Sequence, residues 1–539
     1  MSERLEGRQV SLWVATAGAT GYPPLDSDLE VDVAVVGGGI AGLTAALALK
    51  RAGHTVAVLE AAQIGTGVTG HTTGKVTSLH RLVYTELADR HGQDVAGTYG
   101  EANQAAIEHI ARVVAEEGID CDFSRVSNYT YAESDEALAL VRDEAALAAR
   151  LGLPAVLASD VPLPFAVRGA VRFDGQAQLH AVKYLQGLAR AVDGSGSHVL
   201  EDARVTSVRD GTPVVVETAH GTVRAREVIV ATNVPVGDGG LFADRCYLHR
   251  SYLVACLAPD ASLDGTFISV DEPMRSILAI DVDGSRYVLT GGEGHRATEP
   301  GDAAVRYRRL QEFSRERLGT GRTSFRWSTQ DNMPVDGLPY AGPLTPTAAH
   351  LHVITGLRKW GLTNGTAAAL VLADTLSGRH NPWAAVFDTN RAAPAGRAGA
   401  KNVQPPQSQQ PEGQEQQEQQ SVAELRPGEG TVVEIDGEKT AVYADPAGGL
   451  VAVSAICTHL GCTVGFNADD STWDCPCHGS RFAANGVVIQ GPAAENLAPR
   501  PLPRHRPAGV PAQGAGEPDT TPGFARRSRS SSTASRPNE

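Results

Sequence analysis

The stretch VDVAVVGGGIAG at residues 31–42 joins an apolar strand to the glycine pattern G-x-G-x-x-G. Residues 40–52 then have the small apolar side chains of a helix, residues 55–59 form a second apolar strand, and an acid stands eighteen residues past the last glycine of the pattern. The glycines let the backbone approach a pyrophosphate at a helix N-terminus, and the acid can accept hydrogen bonds from a ribose. This order predicts a dinucleotide site. Its predicted contacts are Gly37, Gly39, Ile40, Ala41, Gly42 and Glu60.

The same stretch has an alternative interpretation, because residues 33–49 are uncharged and resemble a short membrane span. Seventeen residues with three adjacent glycines are too short and too strand-like for that, so we expect no membrane span. The net charge of −15 and the sequence pI near 5.5 disfavour nucleic acid and anionic membrane surfaces as partners. No signal peptide precedes the first strand, which predicts a cytoplasmic protein.

A second motif pair lies near the C-terminus, with CTHLGC at residues 457–462 and CPCHGS at residues 475–480. A Rieske [2Fe-2S] cluster needs two thiolates on one iron and two imidazoles on the other, and each hexapeptide offers both ligand types. The alternative is a tetrahedral zinc site with the same four ligands, which leaves Cys462 and Cys477 without a role. The predicted metal ligands are Cys457, His459, Cys475 and His478.

These two loops resemble the Rieske proteins of cytochrome bc complexes. The resemblance implies a disulfide between Cys462 and Cys477, a hydrogen bond from the Ser480 hydroxyl to a bridging sulfide, and a loop at residues 491–493 that covers the cluster. Phe482 stands where the high-potential members have a tyrosine. A phenyl ring cannot donate a hydrogen bond to the ligand sulfur, so we expect a lower reduction potential than in those proteins.

Residues 28–390 resemble the glycine oxidase, sarcosine oxidase and D-amino-acid oxidase superfamily, through VIVATN at 228–233 and the segments at 326–343 and 353–366. The resemblance implies FAD, with the loop before the last helix, which begins near Thr363, against the flavin ring. No second G-x-G-x-x-G follows a strand, so we expect no nicotinamide site. The implied contacts are Val205, Ala231, Thr232, Trp360, Gly361, Leu362 and Thr363.

The loop GTGVTGHTTGK at residues 65–75 lies where related flavoproteins wrap the cofactor's ribityl and diphosphate groups. His71 is a candidate covalent tether for the flavin, or a histidine that only hydrogen-bonds or is a bystander. Lys359 is a candidate catalytic residue near flavin N5, or a solvated loop charge. The predicted contacts in the loop are Gly70, His71, Thr72, Thr73, Gly74 and Lys75.

The fold class expected for the 539 residues is α/β plus β: a Rossmann-like FAD domain interrupted by an antiparallel-sheet substrate domain, followed by a small all-β Rieske domain. Alanine-rich stretches at 98–118 and 134–151 predict helices, and alternation at 203–231 and 247–293 predicts antiparallel strands. The predicted divisions are an oxidoreductase domain at 28–390, an Ala/Pro/Gln-rich linker at 391–421, a Rieske domain at 422–506 and a disordered tail at 507–539.

Over nearly its whole length the chain resembles bacterial FAD-dependent oxidoreductases fused to a C-terminal Rieske domain, including SLWVAT at 11–16, RKWG at 358–361 and WDCPCHGSRF at 473–482. We expect a dehydrogenase that oxidises a C–N bond of an amine or amino acid and passes electrons through the cluster to an unknown acceptor. The alternatives are an electron-transfer module serving a partner protein and a non-catalytic redox sensor. A Rieske oxygenase is disfavoured, because the close pair His350 and His352 has no acid beside it in the sequence.

Overall fold

The computed structural model describes residues 5–237, 241–299, 301–391 and 422–502. Apart from Arg391, the predicted linker and the predicted tail lie outside the described residues. The chain divides into a unit Met1–Arg500, which holds every element below, and a unit Pro501–Glu539, of which only the first two residues are described.

An eight-stranded sheet forms around the buried strand that precedes the glycine turn. This strand pairs in parallel with the second predicted strand on one side and with Thr222–Asn233 on the other, as the motif predicts for a dinucleotide-binding sheet. Thr222–Asn233 also pairs antiparallel with Val214–Thr218, so the antiparallel strands expected at 203–231 continue into a parallel sheet. The strands are Leu29–Val36, Val56–Leu59, His198–Leu200, Val205–Arg209, Val214–Thr218, Thr222–Asn233, Tyr340–Pro343 and Leu351–Thr355.

A ten-stranded sheet forms the second layer and contains the antiparallel strands expected between residues 247 and 293. Two of its pairings are parallel, between Arg8–Gln9 and Thr323–Pro334 and between Ser124–Ala132 and Thr266–Ser269. This layer supplies the wall opposite the glycine turn. Its strands are Arg8–Gln9, Lys75–Val76, Ser124–Ala132, Ala155–Ala158, Gly169–Gln178, Cys246–Leu257, Thr266–Ser269, Arg275–Val282, Ser285–Arg296 and Thr323–Pro334.

Helices cover the sheets, and the two that matter most for the site are Ile40–Arg51 and Gly361–Leu376, which pack against each other through small residues. The second begins two residues before the predicted Thr363. Among the described residues, no helix is both long and apolar enough to cross a bilayer. The remaining helices are Leu12–Thr16, Val83–His91, Gln93–Glu116, Asp135–Arg150, Ala181–Val192, Ala303–Leu318 and Ala384–Phe387, with 3-10 turns at Val68–His71 and Val422–Glu424.

The C-terminal part, residues 422–500, is a small β domain with two antiparallel sheets. Asp436 and Gly437 both have positive φ, as a two-residue hairpin turn requires. Buried Trp473 and Phe482 form its core. The expected α/β plus β class is therefore confirmed. The strands are Gly430–Ile435, Glu438–Ala444, Leu450–Ser454, Gly465–Asn467, Thr472–Asp474, Arg481–Ala483 and Val488–Gln490.

Candidate active site and metal centre

The glycine turn is held tightly because its neighbours leave no room for side chains. A Cβ on Gly42 would lie 2.0 Å from the Gly37 carbonyl oxygen, and Gly37 itself has φ +111° with the Ala231 carbonyl 2.6 Å from a Cβ. Helix Ile40–Arg51 begins directly after this turn, and it contains no acidic residue in its first turn. The helix N-terminus is therefore open to an anion such as a pyrophosphate.

Glu60 follows strand Val56–Leu59 and accepts hydrogen bonds from the backbone N–H groups of Gly38, at 2.8 Å, and Ala62, at 3.0 Å. Burial raises the pKa of Glu60, and these two bonds partly oppose the rise. The carboxylate is thus held in place at the cavity wall, where its remaining lone pairs can accept hydrogen bonds from a ligand.

A cavity of about 640 Å³ runs from the glycine turn to the loop before helix Gly361–Leu376. Its size is that of a typical cofactor site. The C-terminal domain forms part of the wall through residues 487–494 and Arg481, which the sequence did not indicate. The sequence-predicted residues on the wall are Gly37, Gly39, Ile40, Ala41, Glu60, His71, Thr72, Thr73, Val205, Ala231, Thr232, Lys359, Trp360, Gly361 and Leu362.

Four further predicted contacts lie behind the wall and shape it. Gly42 supports the glycine turn, and a Cβ on Gly70 would lie 1.7 Å from the Gly65 carbonyl oxygen. Gly74 has φ +88° and approaches the Leu179 carbonyl. The fourth, Thr363, is buried, and its hydroxyl Oγ1 donates a hydrogen bond to the carbonyl oxygen of Thr77 at 2.9 Å.

Lys75 is also behind the wall, and it is 5% exposed. Its Nζ donates to the Phe267 carbonyl at 2.6 Å and to Ser276 Oγ at 2.7 Å, and burial lowers the pKa of Lys75 to about 7. Ser276 lines the cavity. Lys75 therefore reaches the cavity wall through its hydrogen bond to Ser276.

His71 lies on the cavity wall with its Nδ1 2.9 Å from the Gly67 carbonyl oxygen. Its own carbonyl accepts a hydrogen bond from Trp327 Nε1 at 3.0 Å. Burial lowers the pKa of His71, so the imidazole is neutral and the contact with Gly67 places its proton on Nδ1. Covalent attachment to the flavin stays a prediction.

Lys359 meets two partners that the sequence did not indicate. Its Nζ donates a hydrogen bond to Ser251 Oγ and lies 3.9 Å from the Asp331 carboxylate. Burial lowers the pKa of Lys359, and burial raises the pKa of Asp331 to about 6 against the attraction of the lysine. All three residues line the cavity. The cavity therefore ends in a lysine–aspartate pair beside the loop that precedes helix Gly361–Leu376, the predicted flavin loop.

A ring stack fixes that loop. Trp360 stacks on buried His80 with ring centroids 4.6 Å apart, and His80 Nδ1 lies 2.6 Å from the Tyr99 hydroxyl. The stack on His80, which is itself held by the Tyr99 hydroxyl, thus keeps the Trp360 side chain in position.

The two C-terminal cysteine–histidine loops face each other in the β domain. Cys457 and Cys475 are buried, and the imidazole rings of His459 and His478 lie 4.9 Å apart. The contact between the two cysteine thiols lowers the pKa of Cys457 and raises that of Cys475. Nδ1 of His478 is buried without a hydrogen-bond partner among the described residues. Two sulfurs and an imidazole nitrogen free to ligate fit a [2Fe-2S] cluster.

The disulfide between Cys462 and Cys477 is formed, which confirms the pairing that the resemblance implied. The sulfurs of these two residues and of Cys475 lie within 4.8 Å of one another. Because two of the three are bonded to each other, this group cannot supply three thiolates to a metal. Ser480 hydrogen-bonds the Cys457 sulfur and accepts from the Ala493 N–H at 3.0 Å.

A buried network of charges joins the β domain to the ten-stranded sheet. Arg250 on that sheet donates to Asp474 of the β domain at 2.6 Å, and Arg481 donates to Asp470 and to Ser328. Arg250, Arg481 and Asp470 are each less than a tenth exposed. Two arginines and two aspartates balance in charge, and hydrogen bonds join them, which offsets part of the cost of removing the charges from water. The β domain is therefore docked against the sheet that carries Asp331.

The histidine pair considered for an oxygenase does have an acid beside it, contrary to expectation. His350 Nδ1 and His352 Nε2 each contact a different oxygen of Glu227, at 3.0 and 2.9 Å. The acid lies on the neighbouring strand, 123 residues before His350, so the sequence did not reveal it. None of the three residues lines the cavity.

Comparison with known proteins gives these sites a family. The family model "FAD dependent oxidoreductase" matches residues 32–375, and "Rieske [2Fe-2S] domain" matches residues 415–502. A Rieske 2Fe-2S iron-sulfur protein of Bacillus subtilis (strain 168), YhfW, is 32% identical over 90% of this chain and 96% of its own. Gamma-glutamylputrescine oxidoreductase of Escherichia coli (strain K12) is 33% identical over 41% of this chain and 54% of its own.

Solved structures share the fold. Glycine oxidase from Geobacillus kaustophilus aligns with a TM-score of 0.58 and 21% identity, over 68% of this chain and 99% of its own. L-Proline dehydrogenase from P. horikoshii aligns with a TM-score of 0.56 and 15% identity, over 67% and 97%. The two family models account for both predicted cofactors, FAD and a [2Fe-2S] cluster. The chain belongs to the FAD-dependent oxidoreductase family and carries a Rieske [2Fe-2S] domain at its C-terminal end.

Proposed function

We propose that this oxidoreductase removes hydride from the carbon next to nitrogen in an amine or amino acid, and delivers the electrons through the Rieske domain to an external one-electron acceptor. The similarity to gamma-glutamylputrescine oxidoreductase, glycine oxidase and L-proline dehydrogenase supports the substrate class. The observation that carries the proposal is the Asp331 carboxylate beside Lys359 at the end of the cavity next to the flavin loop.

When bound, FAD supplies a two-electron acceptor and the cluster a one-electron acceptor. In the overall reaction the substrate loses two electrons and two protons to become an imine, and water hydrolyses the imine to a carbonyl compound and either ammonia, from a primary amine, or an amine, from a secondary one. Two equivalents of the external acceptor each take one electron, and the protons pass to solvent.

The residues at the end of the cavity fit an amine. An amine is cationic at neutral pH and must lose a proton before hydride leaves the neighbouring carbon. Asp331 is ionised above a pKa of about 6, so it attracts the ammonium group and accepts a hydrogen bond from it. Lys359, which donates a hydrogen bond to Ser251, lies beside the Asp331 carboxylate and keeps it in position. The buried setting strengthens these interactions.

The same proposal assigns the cofactor contacts. Gly37 and Gly39, with the N-terminus of helix Ile40–Arg51, hold the pyrophosphate, and Glu60 holds the adenosine ribose. Trp360 and the first turn of helix Gly361–Leu376 lie against the flavin ring, where the helix N-terminus favours negative charge.

Asp331→Asn is expected to raise KM for the amine by roughly 10- to 100-fold, because a charge-assisted hydrogen bond is lost. In the unsubstituted chain, KM should fall as the pH rises through about 6, since Asp331 then gains its charge, and the variant should lack this dependence. Anaerobic bleaching of the flavin by a panel of secondary amines and amino acids identifies the substrate, and steady-state turnover with a one-electron acceptor then gives KM. Asp202→Asn, in the same cavity beside the adenosine end, is the matched control.

Three results of that panel would contradict parts of the proposal. A flavin that no amine or amino acid bleaches removes the substrate class. An unchanged KM in Asp331→Asn removes the role of Asp331. If the cluster becomes reduced only after another protein is added, the chain is an electron-transfer module serving that protein.

The proposed cluster ligands are Cys457, His459, Cys475 and His478. Cys475→Ser is expected to lose nearly all iron and inorganic sulfide while it keeps FAD, because a hydroxyl is a much poorer ligand than a thiolate for this cluster. Cys121→Ser, the same change at a buried cysteine far from the loops in sequence, should keep both. Iron, sulfide and zinc analysis of the purified chains decides between the cluster and the zinc alternative, which requires stoichiometric zinc and no sulfide.

A further inference from the structure

Gln330 lies where the flavin cavity meets the Rieske domain. It is on strand Thr323–Pro334, lines the cavity and is 1% exposed. Its Nε2 donates to the carbonyl oxygen of Gly479 at 2.7 Å, and Gly479 directly follows the predicted ligand His478. Its own backbone carbonyl accepts a hydrogen bond from Gln490 Nε2 of the Rieske domain at 2.7 Å. One residue thus contacts both the cavity and the ligand loop.

The side-chain amide of Gln330 has a single workable orientation. Its Oε1 lies 3.0 Å from Nη2 of Arg250, and a guanidinium can only donate, so the amide oxygen must face the arginine. The amide nitrogen must then face the Gly479 carbonyl, which can only accept. Arg250 is itself held by Asp474 at 2.6 Å. The bond to the ligand loop is therefore fixed from the flavin side.

The loop that carries His478 and Gly479 packs closely against the oxidoreductase domain. Gly479 has φ +75°, and a Cβ there would lie 3.0 Å from Leu248 Cδ1 on the ten-stranded sheet and 3.0 Å from Ala297 Cβ, just past the end of strand Ser285–Arg296. Only glycine fits this contact without displacement. His478 is consequently held one peptide bond away from the carbonyl that Gln330 binds.

We propose that Gln330 is the positioning residue that sets the contact between the two redox centres, by holding the His478 loop against the flavin cavity. The inference rests on the relay in the proposed function. In the step concerned, one electron would leave the reduced flavin and enter the oxidised cluster, and any proton that the flavin releases would pass to water. Gln330 changes neither centre chemically. It fixes the separation over which the electron moves.

The test uses the full-length chain loaded with FAD and cluster, without any amine. Light in the presence of EDTA reduces the flavin anaerobically, and absorbance and EPR follow the later reduction of the cluster. In Gln330→Leu the transfer is expected to be slower by roughly tenfold or more, since small misplacements have effects of this size in other positioned reactions. FAD content, iron content and the g-values of the reduced cluster should match the unsubstituted chain.

Gln311→Leu is the matched control, because Gln311 is also buried and donates its amide to a backbone carbonyl, that of Glu6 at 3.1 Å. If Gln330→Leu accumulates poorly, Gln330→Asn gives the same test with the amide kept and its reach shortened. Transfer at the unsubstituted rate in the Gln330 variants overturns the inference. Failure of the unsubstituted chain to reduce its cluster after photoreduction instead overturns the relay, whatever the amine panel gives.

Discussion

A chain carrying Gly42→Ala is expected to fold and to assemble its cluster, yet to retain less than about a tenth of the FAD of the unsubstituted chain. The new Cβ would lie 2.0 Å from the Gly37 carbonyl oxygen and 3.2 Å from Val35 Cγ1. The first of these atoms belongs to the backbone, so the helix must move away from the turn that is proposed to hold the pyrophosphate. Flavin absorbance per mole of purified protein measures the loss, and a titration with FAD measures the remaining affinity.

Gly97→Ala is the control for this change. Gly97 is also inside a helix, Gln93–Glu116, and the nearest atom to its Cβ is Leu151 Cδ2 at an ordinary 3.6 Å. Alanine there should raise helix stability by up to about 1 kcal/mol and leave FAD bound. If Gly42→Ala binds FAD as well as this control does, the glycine turn does not hold the cofactor.

Asp474→Ala is expected to loosen the Rieske domain from the rest of the chain. The carboxylate accepts hydrogen bonds from Arg250 at 2.6 Å, Asn467 at 3.1 Å and Arg481 at 3.2 Å. Its removal leaves buried guanidinium charge without its partner, at a cost of about 3–5 kcal/mol. We expect the melting temperature followed by the visible circular dichroism of the cluster to fall by more than about 10 °C. Faster amide hydrogen exchange over residues 487–494 should accompany it.

The pH dependence of this contact follows from the same carboxylate. Burial by itself raises the pKa of Asp474, but Arg250 and Arg481 outweigh burial and hold it well below its ordinary value. The folded pKa is thus lower than the unfolded pKa of about 4, so the stabilisation is present above pH 4 and is lost as the pH falls toward the folded pKa. The melting temperature of Asp474→Ala should therefore fall less than that of the unsubstituted chain as the pH drops below about 4.

Glu108→Ala serves as the control, because its ion pair with Arg125, at 2.8 Å, joins side chains that are 60% and 38% exposed. Loss of an exposed pair costs at most about 1 kcal/mol. Equal melting temperatures for the Asp474 and Glu108 variants would contradict a docking role for the buried network.

Local patterns predicted the parts of the site that lie on single loops. The glycine turn and Glu60 belong to one continuous βαβ segment, so spacing was enough to place them. The cysteine–histidine loops are equally local, and family resemblance added the disulfide. Lys75 belongs to a predicted loop, but it begins strand Lys75–Val76, which pairs with Gln178, and its side chain lies behind the cavity wall. Strand register of this kind has no signature in the loop itself.

Contacts between distant segments could not be predicted. Asp331 and Lys359 come together only when their strand and loop meet, and neither segment has a pattern that names the other. Gln330 and Gly479 are 149 residues apart, and Arg250 and Asp474 are 224 apart. Nothing in the local sequence marks Gln330, Arg250 or Asp474 as contact residues, because each one's partner comes from a distant segment.

The cavity wall formed by residues 487–494 also limits which Rieske domains could replace the present one. Arg204, near the adenosine end, donates to the Val488 carbonyl at 3.0 Å, so both ends of the cofactor pocket depend on one short C-terminal segment. An iron–sulfur module shuffled in from another lineage would have to bring a matching segment, or bulk water would enter beside the flavin. A change in either part at this wall is therefore expected to require a matching change in the other.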